Sequence, residues 1–381
     1  MKKYILVINV IVFSVLTSCN KTKNNQINFK VIDSIRLTIP KYFPSGEGVP
    51  QTCIYENDSV SNLYLMFMNI AKKENELITF NLKSKNNSKI IILPYEGATD
   101  YKQSTILGVK SPDSIFIASF LGHKFSLLNA KGDLLNTFDY KYESNEQSVN
   151  EISGDIWNPL YFIENKIYYS VKTSYQNHFN KKLNTSILFE YDLNTNLSSS
   201  VNVKIPDDFI KSDYFSSDEI HYTSNGKQFV FSSAYSNNIW VTDIESGRLK
   251  IIDITSKDFK SFELRRKDND SDYEYIVNSR YSSIAYDKYR DVYYIFFYPG
   301  MDNIKKGDEN NAYLSWNLPI FNIIVLDNKF NKLGEVEMPK DTYVFDNYFI
   351  SKKGLNLNAN HENNKDYDEN YMRYHTLKLI R

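Results

Sequence analysis

The chain has 381 residues, with 45 Lys and Arg against 46 Asp and Glu, a net charge of −1. This balance excludes the strongly basic surface on which nucleic-acid binding depends. Thirty tyrosines and 24 phenylalanines, set against 13 glycines and 10 prolines, suit half-buried strands, whose pleated surface favours aromatic side chains.

The first element in chain order is a leader. Lys2 and Lys3 precede an apolar run over residues 4–16, and Leu16-Thr17-Ser18-Cys19 follows at once. The run is shorter than the roughly 20 residues that span a bilayer, which favours a cleaved signal peptide, residues 1–18, over a retained transmembrane anchor. The Leu-x-small-Cys ending resembles that of bacterial lipoproteins, which implies acylation of Cys19, although an ordinary secretory signal with an incidental cysteine gives the same pattern. Residues 19–30 then form the lipidated cysteine and tether. Cleavage leaves 43 basic against 46 acidic side chains, a net −3. With Cys19 acylated, Cys53 has no internal disulfide partner and reads as a buried thiol.

Residues 31–381 read as one all-β domain, a six-bladed β-propeller. Six times a short apolar stretch, a polar turn and a more strongly β-prone stretch recur, as in CIYENDSVSNLYLMFM, HYTSNGKQFVFSSA and IAYDKYRDVYYIFFY. A third stretch follows each, and a fourth follows the first five. The sixth copy ends at Arg381 without its fourth strand. Residues 31–40, VIDSIRLTIP, supply it, so an N-terminal strand pairs into the last blade and closes the ring. The predicted blades span about 51–94, 103–140, 159–206, 219–255, 281–339 and 344–381.

Loop lengths separate the two faces of the disc. First-to-second and third-to-fourth connections are short and share one face. Second-to-third and blade-to-blade connections share the other and hold the long insertions, which in repeat proteins mark a binding face. The closing strand starts on the short-turn face, so the tether leaves there and the long-loop face points away from the membrane. Residues 20–27 reach at most about 26 to 29 Å when extended.

Candidate ligand-binding residues are those that precede or begin innermost strands at the long-loop end: Asp155 with Trp157, His221 beside Glu219, and Arg280 with Tyr281, together with Gln51, Asp100 and Asp346. A guanidinium ringed by carboxylates suits an anionic or hydroxyl-rich ligand; an inter-blade salt bridge is the structural alternative for Arg280, and blade packing is the alternative for the aromatics. Trp157, Trp316 and Tyr175 are placed to stack on sugar rings. Asp268, Asp270, Asp272 and Glu274 alternate like the start of a calcium loop, but Tyr273 and Ser279 stand where such a loop needs Gly and Glu. The five histidines lack paired metal spacing, and no nucleophile motif is present. No metal, cofactor or catalytic residue is therefore assigned.

The lipobox, the closing strand and the segment NSRYSSIAYDKYRDVYYIFFYP together resemble an uncharacterised family of Gram-negative lipoproteins carrying a six-bladed propeller of unknown function. The residues after Cys19 carry no acidic cluster of the kind that sends some Gram-negative lipoproteins to the cell surface, so by resemblance the chain is expected in the cell envelope, held by its N-terminal lipid at the outer membrane and facing the periplasm; a monomer is expected. The resemblance carries over no catalytic residues. Two functions stay open: a recognition or scaffold module binding a protein, peptide or glycan on the long-loop face, and an enzyme of the sugar-lactone hydrolase or glycan lyase or hydrolase kind with its site at the channel mouth.

Overall fold

A computed structural model describes residues 27–39, 50–69, 71–96, 101, 104–119, 124–139, 151–153, 158–172, 187–203, 220–260, 271–345 and 347–381. Six antiparallel sheets follow one another along the chain and form the blades of a propeller. Blade 1 runs Gln51–Glu56, Ser61–Asn69, Glu74–Asn81 and Asn86–Pro94, and blade 2 runs Ser104–Ser111, Ser114–Ser119, Lys124–Leu128 and Leu134–Asp139. Blade 4 comprises Ile220–Ser224, Gln228–Ser233, Asn238–Asp243 and Leu249–Asp253; blade 5 comprises Arg280–Asp287, Val292–Tyr298, Asn322–Asp327 and Lys332–Glu337.

Blade 3 departs from the predicted pattern. Tyr161–Ile163, Lys166–Lys172, Leu188–Asp192 and Leu197–Ser200 make its four strands, but a further piece, Glu151–Ser153, pairs with the same second strand at Ser170, Val171 and Lys172. The innermost strand is thus broken in two, and Asp155 and Trp157 fall in the interruption, outside the described residues.

Blade 6 closes the ring. Tyr348–Ile350, Leu355–Asn358 and Tyr371–Ile380 come from the C-terminal end, and Asn28–Thr38 pairs outside the last of them, from Asn28 opposite Ile380 to Thr38 opposite Tyr371. The closing strand lies a little earlier than residues 31–40, with a bulge between Val31 and Asp33. Side chains confirm the circle. Each neighbouring pair of blades shares its own buried cluster, including blades 6 and 1, where Phe349, Met372 and Tyr374 pack with Leu63, Phe67 and Phe80. Each sheet is covered on both faces, which is why VYYIFFY of blade 5 is buried at every position instead of alternating. Outermost strands such as Leu249–Asp253 are largely exposed.

The closing strand begins beside a tight contact with blade 5. A Cβ on Gly334 of blade 5 would stand 2.6 Å from a side-chain carbon of Ile27, so the absence of a side chain there lets Ile27 bury beside the last hairpin of blade 5. Cys53 lies half-buried in the innermost strand of blade 1, and burial pushes its thiol up to about 11. Among the described residues no helix is long and apolar enough to cross a membrane. Cys19 and the leader lie outside the described residues.

Candidate functional site

The long insertions of blades 5 and 6 build one surface at the long-loop face. Two short helices stand there: α1, Ser271–Val277, immediately before the innermost strand of blade 5, and α2, Asn311–Trp316, within the second-to-third connection of the same blade. Both are too short to be stable alone, so their order comes from packing. Ile276 is fully buried, its carbonyl accepts from the Tyr298 hydroxyl at 2.6 Å and from the Met301 amide at 2.9 Å, and Ser315 of α2 donates to Asp272 of α1 at 3.0 Å. Gly300, at φ +78°, lets the chain pass so close to α1 that a Cβ would meet the Val277 carbonyl at 2.4 Å.

The connection after Asn358 packs beside α2. His361 is buried, and burial lowers its pKa below the usual imidazole value. Its Nδ1 accepts from the Asn363 amide at 3.2 Å, which holds a turn whose Asn364 donates to the Thr342 and Ala359 carbonyls.

What this surface offers a ligand is aromatic. Trp316 is 76 % exposed, Tyr313 42 % and Tyr275 38 %. The segments that carry them, residues 271–279, 299–321, 338–345 and 359–370, hold ten Asp and Glu against four Lys, so the rings sit in an acidic field. Large apolar side chains exposed together beside ordered loops are characteristic of contact surfaces. Trp316 was visible in the sequence as a stacking candidate; Tyr275 and Tyr313 were not singled out, because only the pairing of α1 with α2 brings them to the same surface.

The remaining candidates have other places. Arg280 is buried rather than displayed at a channel mouth. Its Nη1 donates to the Tyr275 carbonyl at 2.6 Å and its guanidinium lies over the Tyr275 ring and 5.0 Å from the Tyr298 ring. It fastens α1 to blade 5. Tyr281 is fully buried between blades 4 and 5, its hydroxyl donating to Asn237 at 2.8 Å and accepting from the Ser256 amide at 3.2 Å, and burial raises its pKa well above the usual phenol value. Its side chain is thus part of the packing between blades 4 and 5. His221 is buried opposite Ser232 in blade 4, at the same end of the disc as Arg280 on the adjacent innermost strand. Gln51 is half-buried at the start of blade 1. Asp155, Trp157, Tyr175, Asp100, Glu219 and Asp346 lie outside the described residues. Asp272 and Glu274 occupy the first turn of α1, where carboxylates favour the positive end of the helix dipole.

No curated protein matches the chain. A solved structure described as a member of the DUF4221 family from Bacteroides vulgatus ATCC 8482 superimposes with a TM-score of 0.74 at 19 % identity, covering 94 % of this chain and 100 % of that one. Identity so low speaks for the fold alone. Weaker likenesses, both at TM-score 0.45, are to a luciferin-regenerating enzyme, at 10 % identity over 92 % of this chain and 96 % of that one, and to a calcium-binding protein, regucalcin, from Agrobacterium tumefaciens, at 11 % identity over 87 % and 90 %. The family described as "Domain of unknown function (DUF4221)" matches residues 51–337, from the first strand of blade 1 to the last of blade 5, and the chain therefore belongs to the DUF4221 family.

Proposed function

We propose that this chain is a lipid-anchored recognition protein of the cell envelope that binds a protein, peptide or glycan on the long-loop face of blades 5 and 6. The observation that carries the reading is Trp316, three-quarters exposed on α2, which Ser315 ties to Asp272 of α1, itself fastened to blade 5 by Tyr298 and Arg280. A rigid, exposed indole costs little entropy to immobilise and covers a large contact area. The surrounding carboxylates favour a partner that presents cationic or hydroxyl groups beside an apolar one.

The address rests on the leader. Acylation at Cys19 would hold the protein on the outer membrane facing the periplasm, with the tether leaving from the short-turn face beside Asn28 and the aromatic surface directed away from the bilayer. Two experiments separate these claims. Cross-linking and pull-down of the lipidated chain from its native envelope is expected to recover a partner that a Trp316→Ala, Tyr313→Ala double variant fails to hold; recovery of the same partner by that variant at wild-type yield refutes the recognition surface. Detergent partitioning of Cys19→Ala is expected to show loss of acylation and membrane retention; unchanged retention refutes the anchor and leaves the surface untouched.

A further inference from the structure

The third-to-fourth turns of blades 4 and 5 leave a groove between them on the short-turn face, with a volume of about 420 Å³. Arg248 and Lys250 line it from blade 4 and Lys329 from blade 5, over a floor made by Val241 and Phe330. Lys250 Nζ stands 5.9 Å from the centre of the Phe330 ring. Phe330 holds a φ of +68° in the turn Asn328–Asn331, an unfavourable conformation for an aromatic residue, and it keeps the ring buried under the groove while Asn328 and Lys329 project beside it. One carboxylate, Asp243, also faces the groove. It is engaged by the Ser246 amide at 2.8 Å and hydroxyl at 2.9 Å, which hold its acid below the usual carboxylate range. None of the three cations closes a salt bridge among the described residues, whereas on the same face Lys85, Lys352 and Lys353 all do.

The groove lies near the seat of Ile27, the first described residue. Its blade 5 wall is the turn of the hairpin Asn322–Glu337, and Gly334 of that hairpin receives Ile27. Four residues of strand separate Phe330 from Gly334, about 13 Å. The eleven short turns carry ten Lys and Arg against six Asp and Glu, opposite in sign to the acidic segments around Trp316. The disc is thus polarised, with its basic side where the chain departs.

From the three cations outside salt bridges, the apolar floor and the neighbouring seat of Ile27 we infer that this groove receives the phosphate of an anionic phospholipid headgroup, so that the domain lies with its short-turn face on the bilayer. Near a charged surface each Lys or Arg contributes about 1 kcal/mol, and Arg248 adds a planar donor fork suited to phosphate. The inference takes its setting from the lipid-anchor reading, but its test uses the chain from Asn20 onward, which contains every strand of the ring and no acyl chain, and so is decided independently of Cys19.

That protein would be sedimented with vesicles of phosphatidylglycerol and phosphatidylcholine at about one to three, and with phosphatidylcholine alone. Partitioning onto the anionic vesicles is expected, falling as salt rises, with little onto the neutral ones. A triple variant, Arg248→Ala, Lys250→Ala, Lys329→Ala, should partition on the order of 100-fold less, from three cations at about 1 kcal/mol each. A control with the same loss of charge on the other face, Lys305→Ala, Lys306→Ala, Lys340→Ala, should partition as wild type, and circular dichroism melts establish that both variants are folded. Equal binding to neutral vesicles, an unaffected groove variant, or an equal loss in the control overturns the proposal. So does tight binding of inorganic phosphate by calorimetry without vesicle partitioning, which would make the groove a site for a free anion.

Discussion

Arg290 and Asp287 face each other across the tip of the first hairpin of blade 5, Nη1 to Oδ2 at 2.7 Å, with the carboxylate fully buried. Asp287 also accepts from the Tyr294 hydroxyl at 3.0 Å and from the amides of Tyr289 and Arg290 at 3.0 and 3.2 Å. The guanidinium reaches onward to the Ser351 and Lys352 carbonyls of blade 6, and the Tyr289 hydroxyl reaches Glu56 of blade 1 at 3.1 Å. The YDKYRD stretch therefore ties three blades together around the axis. Arg290→Ala strands a buried carboxylate, and such losses cost about 3 to 5 kcal/mol. Urea titration of the variant is expected to show a drop of that order; a midpoint equal to wild type rejects the network.

Ring closure makes a separate claim on stability. Leu37 of the closing strand is buried with Leu63, Phe80 and Tyr374 between blades 6 and 1. Leu37→Ala should lower stability by about 2 to 5 kcal/mol, and removal of residues 27–38 should open the sixth sheet and promote association through its bared edge. Calorimetry with size-exclusion chromatography checks both; a truncated protein that stays monomeric and melts like wild type contradicts the closure.

Asp33, on the same strand, titrates in a way that sets a pH window. Lys85 of blade 1 and then Lys353 of blade 6, each 2.9 Å away, hold its carboxyl down from the usual 3.8 to about 2. A depressed folded-state acid adds stability that is complete above the unfolded value and is lost as pH falls from about 4 toward 2. The group is partly solvated, so the contribution is about 1 kcal/mol. Unfolding free energies of wild type and Asp33→Asn should differ by that amount at pH 7 and converge near pH 2. A difference that grows on acidification contradicts the assignment.

At the aromatic surface, two substitutions should part company. Trp316→Ala removes an exposed ring and should leave the melting temperature within the usual scatter of surface changes, while weakening partner binding by at least tenfold. Arg280→Ala removes the fastening of α1 and should lower stability by about 1 to 3 kcal/mol, with binding reduced through loss of helix order. Thermal melts alongside binding isotherms decide it. A stable Arg280→Ala protein with weakened binding would put the guanidinium back at the ligand.

The blades were legible because a sheet pressed between two others must be apolar on both faces, and stretches such as VYYIFFY admit no other surroundings. The outermost closing strand was legible by subtraction, since the sixth repeat lacked a partner, but its bounds were displaced because the bulge at Val31 and Asp33 hides the local alternation. Glu151–Ser153 escaped notice because three residues carry no period and its partner lies 17 or more residues away. The helices α1 and α2 escaped for a related reason: at seven and six residues they fall short of two turns, and tertiary contacts fix them. The place of Arg280 and Tyr281 at the start of an innermost strand was legible but their burial was not, because a strand's starting point does not reveal which of its neighbours fold over it.

The pairing of Asn28 with Ile380 has a consequence in time. Of the described strands, the first in chain order must wait for the last, and contacts such as Arg36 to Asp368 span 332 residues. Blades 1 to 5 are built from neighbouring hairpins and need no such delay, whereas closing so long a loop is slow. Until Tyr371–Ile380 is in place, Asn28–Thr38 has no partner strand and the packing between blades 6 and 1 is incomplete. Completion of the ring therefore turns on the strand Tyr371–Ile380, and the interval before it pairs is when the open sheet edge is most exposed to association.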